Sequence, residues 1–168
     1  MKRIVKEVLS YALVIVVVLL IKTYVFSPIK VNGDSMMPTL HNKDIMILNE
    51  IGYYLNGLDR FDIVVVKTEN DLLIKRVIAF PGETVRFFED ELYINGELVE
   101  QDFLHAITHN FEMGEVNEEV VPDGHYFVVG DNRGDSLDSR TIGSVSKDQI
   151  MGKTSFIVYP FKRIGSVN

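Results

Sequence analysis

The sequence predicts a mainly β fold: an antiparallel β-sheet domain behind a single N-terminal membrane-spanning helix. Three observations carry that expectation. One long apolar run, Val8 to Phe26, stands near the N-terminus. After residue 28 the apolar residues come in short Val- and Ile-rich runs divided by turn residues. The same stretch has no sustained 3.6-residue repeat.

The N-terminal segment comes first. Lys2, Arg3 and Lys6 precede a stretch, Val8 to Ile21, without charge. Lys22 can snorkel, and Tyr24, Val25 and Phe26 extend the run. Its 19 residues approach the roughly 20 that cross a bilayer. A buried core helix would show a polar face, and this run has none. A cleaved leader would need small residues before the cut. The best frame ends at Ser27 and places Pro28, which lacks an N–H, just after it. A retained anchor over 8–26 is therefore expected, with residues 1–7 cytoplasmic by the positive-inside rule and 28–168 extracytoplasmic.

The body follows as strands. Residues 44–51, 61–67 and 72–80 are Val- and Ile-rich. Residues 83–100 suggest a meander with an acidic turn after Phe88 and a hairpin at Asn95-Gly96. Residues 124–131 and 152–160 complete the set, and Pro81-Gly82, Pro122-Asp123-Gly124 and Gly143 punctuate it. Residues 101–121 break the rhythm and read as an excursion between core strands.

With 168 residues the chain can bury one real core. It has no cysteine, which excludes disulfides, a thiol nucleophile and a cysteine zinc site. Net charge is −7, and beyond residue 27 there are 13 basic against 23 acidic residues. So acidic a body does not suit nucleic acid, which needs clustered cations. His105 and His109 have helical spacing, but no glutamate follows His105 as a zinc-protease helix requires. Asp131, Arg133 and Asp135 put a cation at a calcium-ligand position. No metal or cofactor is expected.

Three stretches attract chemistry. "VNGDSMMPTL" (31–40) holds Ser35, either a turn residue or a nucleophile, with no base beside it. "DLLIKRVIAF" (71–80) puts Lys75 between Leu73 and Val77 on one face of a strand. Burial there would lower its pKa and make a neutral amine, a competent general base. An edge lysine that guards against aggregation fits the strand as well. Arg76, on the opposite face, wants a carboxylate. "GDNRGDSLDSR" (130–140) could supply one, as a fixed polar network or as a plain surface loop. His41 and His125 leave a Ser-His-Asp triad open by count, although no G-x-S-x-G surrounds any serine.

Taken together and in this order, these stretches closely resemble the type I signal peptidases, Ser–Lys proteases of the bacterial membrane, in their short Gram-positive form. "GDSMMPTL", "FDIVVVK", "IKRVIAFPGE" and "GDNRGDSLDSR" match four family motifs across residues 33–140. Ala79 and Glu83 stand where the family often has Gly and Asp. The resemblance implies Ser35 as nucleophile and Lys75 as general base, with Ser136 orienting the lysine. It implies ion pairs Asp131–Arg76 and Asp138–Arg140, and an oxyanion region at the Ser35 backbone. Gly33 there replaces a side-chain donor found in other members. The expected substrates are signal peptides of exported preproteins, cut after small residues at −3 and −1, at the plasma membrane and in contact with its lipid. No obligate protein partner is expected. Val31, Met36, Leu40 and Ile74 flank the catalytic residues and are candidates for the substrate pocket. Two rival readings remain: an anchored domain that binds exported chains without cutting, and a self-cleaving Ser–Lys regulator.

Overall fold

In the computed structural model, residues 6–16, 27–69 and 71–167 are described. Residues 6–16 are helical (α1) and exposed. Among the described residues no helix is long and apolar enough to cross a membrane. Residues 1–5 and residues 17–26, the larger part of the expected anchor, lie outside the described residues.

The remainder is mainly antiparallel β. Strands β1 (Ser27–Lys30), β2 (Ile45–Asn49), β11 (Ile150–Tyr159), β3 (Ile63–Lys67), β4 (Leu72–Ala79), β9 (His125–Val129) and β10 (Val145–Ser146) lie side by side in that order. A short strand, β12 (Gly165–Ser166), pairs with β11. Beyond Ala79 the chain enters a second sheet, ordered β7 (Glu97–Val99), β6 (Glu91–Ile94), β5 (Val85–Phe88) and β8 (Phe111–Glu112). The meander appears as expected. Asn95 and Gly96 adopt φ of 53° and 81°, the left-handed pair that a tight hairpin requires.

Alternation explains the packing. In β3, Ile63 and Val65 join one core cluster with Met46, Leu48 and Ile157, while Val64 and Val66 join another with Val77 and Val128. A third cluster, built on Phe87, Leu92, Phe111 and Phe127, closes the second sheet onto the end of the first. β4 is therefore a central strand, bonded to β3 and to β9. That removes the edge-strand explanation for Lys75.

Two expectations are corrected. The strand expected over 44–51 stops at Asn49, whose side chain accepts from Gly52 N at 2.7 Å and caps a helix, α2 (Glu50–Asn56). Tyr53 supplies the helix's buried anchor. Second, the strand expected from residue 61 begins at Ile63, because Phe61 sits in the left-handed region with φ 72°.

Candidate active site

Residues 31–44 form a compact turn because Val31, Met36 and Leu40 are buried in one core cluster. Val31 N donates to Asp44 O, and Leu40 N to Met36 O. Gly33, at φ 86°, lets the chain reverse before Asp34. Ser35 is left half-buried at the rim. Lys75 reaches it from β4: Nζ lies 2.6 Å from Ser35 Oγ, across 40 residues of sequence. Lys75 keeps 2% of its surface exposed. Burial lowers its pKa to about 8, against the opposing pull of the Asp138 and Asp131 carboxylates. Among the described residues no histidine bonds to Ser35. The His125 ring pairs with the Asp123 carbonyl, and His41 is exposed.

The turn after β9 touches the serine turn and the strand that carries the lysine. Gly130 is pressed against the Ser35 carbonyl and the Ser136 hydroxyl so closely that a Cβ there would collide with both. Asp131 accepts from Arg76 Nε at 2.9 Å and Nη2 at 2.7 Å, and from Thr39 Oγ1 at 2.5 Å. Arg76 also donates to Phe61 O and lies under the Phe103 ring, 3.9 Å from its centroid. Asn132 completes the contact: its N–H donates to Ser35 O at 3.0 Å and its Nδ2 to Asp34 O at 3.1 Å. Three successive residues thus meet the serine turn, and the middle one also grips the lysine strand. No protein acceptor takes the Ser35 N–H among the described residues.

Around this centre, Arg140 holds Asp138 through contacts of 2.9 and 2.8 Å. Burial pushes the Asp138 carboxyl up, but the Arg140 guanidinium, with the Ser136 hydroxyl and the Gly130 N–H, holds the group below its ordinary range. The same carboxylate accepts from Gly130 N. Ser136 packs against Gly130. Its hydroxyl is buried and makes no hydrogen bond of good geometry, so the bond to Lys75 is not made in this structure. The hydroxyl lies near the Asp138 carboxylate and helps to hold it ionised. The lysine's short contact goes to Ser35 instead.

Val31, Met36, Leu40 and Ile74 share one cluster. Leu40 and Met36 are wholly inside it, whereas Ile74 retains 7% of its surface. Ile74 and Val31 are therefore nearer the surface, with Met36 and Leu40 behind.

Several contributors escaped sequence reasoning. Asn132 and Thr39 lie within the quoted motifs but show no signal of their own. Arg163, in a 3₁₀ turn after β11, donates to Thr39 O at 2.8 Å and pairs with buried Asp44 at 3.0 Å. Arg133 is buried and donates to Gly130 O, Thr108 and Gln101, which pins the first half of the excursion. Burial lowers its pKa to about 10.

The chain is similar to known proteins along most of its length. A family model described as "Signal peptidase, peptidase S26" matches residues 3–159. The chain is 39% identical to signal peptidase I S of Bacillus subtilis, over 97% of this chain and 95% of that protein. It is 41% identical to signal peptidase I of Bacillus amyloliquefaciens, over 91% and 88%. Identity to signal peptidase IB of Staphylococcus aureus is 34%, over 95% and 92%. A crystal structure of a signal peptidase I from Enterococcus faecalis superimposes with a TM-score of 0.53 at 35% identity, covering 57% of this chain and 95% of that one.

Proposed function

The chain belongs to the signal peptidase family, peptidase S26, and on that premise we propose that it removes signal peptides from exported preproteins with Ser35 as nucleophile and Lys75 as general base. The observation that carries the roles is the 2.6 Å approach of Lys75 Nζ to Ser35 Oγ inside a lysine environment that favours the neutral amine.

The chemistry follows from that contact. Neutral Lys75 takes the Ser35 proton as Oγ attacks the scissile carbonyl. The Ser35 N–H donates to the developing oxyanion, with the Gly33 backbone beside it and no side-chain donor at that position. The lysine then protonates the leaving amine and an acyl-enzyme remains. Lys75 next takes a proton from water, whose oxygen attacks the ester, and passes that proton to the departing Ser35 Oγ, which restores the hydroxyl and the neutral amine. Ser136 is read as a hydroxyl that orients the lysine when substrate is seated, through a bond that the substrate-free structure does not make. The Asp131–Arg76 and Asp138–Arg140 pairs are read as structural supports. Specificity for small residues at −3 and −1 is assigned to shallow apolar subsites at Val31 and Ile74, backed by Met36 and Leu40.

Residues 8–26 are read as a single anchor in the plasma membrane with the N-terminus cytoplasmic and 28–168 as the extracytoplasmic catalytic domain. Confinement to one surface raises the effective concentration of enzyme and substrate. The test is cleavage of a preprotein by the detergent-solubilised full chain beside Ser35→Ala and Lys75→Ala. Cleavage lost in both variants is expected. Full activity in Lys75→Ala would remove the lysine from the mechanism, and binding without cleavage by the parent would favour a non-cutting binder.

A further inference from the structure

α2 turns most of its large apolar side chains outward. Tyr53 packs into the core with Val64, Val66 and Val77. Ile51, Tyr54 and Leu55 keep 40%, 82% and 78% of their surfaces exposed. Their i, i+3, i+4 spacing gathers them into one stripe. A lone exposed leucine is ordinary, but three neighbouring apolar groups on one face of a seven-residue helix are not. The stripe itself carries no charge.

Its place in the fold says what it faces. Ser27 Oγ donates to Glu50 Oε1 at 3.2 Å, so the first residue of α2 is one hydrogen bond from the first residue of β1. Ser27 also pairs with Leu48, just before the helix. In the sequence, Ser27 directly follows the apolar run that ends at Phe26. The stripe therefore stands where the chain leaves that run. The second sheet hangs from the opposite end of β4, beyond Ala79.

We propose that the outer face of α2 is a lipid-contacting surface that seats in the interfacial layer of the bilayer spanned by residues 8–26. The proposal rests on the anchoring reading above. Tyr54 suits the boundary, with an apolar ring and a polar hydroxyl, and Ile51 and Leu55 suit the upper acyl region. A domain attached at Ser27 alone could swing about that point. A second contact beside it restricts the swing and holds the Ser35–Lys75 pair in a set orientation to the membrane.

The chain contains no tryptophan, so a single introduced indole reports its own surroundings. Tyr54→Trp is made in the full chain and reconstituted in vesicles of phosphatidylcholine and phosphatidylglycerol containing acyl-brominated lipid. Leu98→Trp, on exposed β7 of the second sheet, is the comparison. Flotation with the vesicles reports anchoring independently. The expected result is flotation of both proteins. Fluorescence of the Tyr54→Trp protein should be quenched most by bromines at about 5–10 Å depth, where interfacial helices lie. Fluorescence of the Leu98→Trp protein should stay unquenched. Flotation of the Tyr54→Trp protein without quenching overturns the α2 contact and leaves the anchor standing. Emission that is blue-shifted yet unquenched in that variant shows the stripe covered by protein and equally overturns the lipid proposal. Failure to float overturns the anchor, and the α2 contact with it.

Discussion

Arg76 and Asp131 meet through two parallel hydrogen bonds of 2.9 and 2.7 Å, with both side chains buried. Arg76 adjoins Lys75 on β4, and Asp131 stands between Gly130 and Asn132, which touch the serine turn. The pair joins the strand that carries the proposed base to the turn that carries the proposed nucleophile. Removing one partner leaves a buried charge uncompensated. Arg76→Met and Asp131→Leu are each expected to cost about 3–5 kcal/mol. The double variant should cost clearly less than the two together. Urea denaturation of the four proteins measures the coupling.

Activity should rise as pH climbs through about 8, where Lys75 loses its proton. The sign for stability is the same. Between about 8 in the folded chain and 10.5 in the unfolded one, the unfolded state holds more protons, so raising pH through this window stabilises the fold. Below it the folded state must bury a charged ammonium. Lys75→Met should lack this rise. Urea midpoints of parent and variant on either side of the window decide it, and parallel midpoints would contradict the lowered pKa.

Asn132→Ala keeps the backbone bond to Ser35 O and deletes only the side-chain bond to Asp34 O. If Asn132 positions the serine turn, kcat should fall, approaching about 10²-fold, with KM nearly unchanged. The pH midpoint set by Lys75 should not move. Asn132→Asp should fail to restore the rate, because a carboxylate has no hydrogen for the Asp34 carbonyl. Steady-state kinetics across pH measures all three.

Gly130→Ala tests the close approach. The added Cβ meets the Ser35 carbonyl and the Ser136 hydroxyl and lies 2.8 Å from Ser136 Cβ. Backbone cannot give way as a flexible side chain can. An overpacking cost of about 1–3 kcal/mol is expected, together with a loss of activity larger than the loss of folded protein explains. Circular dichroism melts beside preprotein cleavage separate the two effects.

The strands of the main sheet were legible because Val and Ile alternate against turn residues, and the Asn95-Gly96 hairpin was legible because only a left-handed pair fits it. α2 was not. Its capping residue, Asn49, ends a run that continues apolar into Ile51, so local pattern favoured a longer strand. Lys75 was visible as a lysine between aliphatics, but a single strand does not state whether it is central or at an edge. Pairing with β3 on one side and β9 on the other decides that. Asn132 and Thr39 left no mark, since a polar residue in a polar stretch has no pattern to break.

By itself, the sequence determined the β class, the order of the motifs and the residue types able to perform serine–lysine chemistry, because these follow from local periodicity and side-chain identity. Only the tertiary structure decided that Lys75 reaches Ser35 across 40 residues, that Ser136 makes no hydrogen bond to the lysine, and that Gly130, Asp131 and Asn132 together set the serine against the lysine strand. Such contacts depend on how strands far apart in the chain are brought into register, and the burial of side chains from several strands at once sets that register.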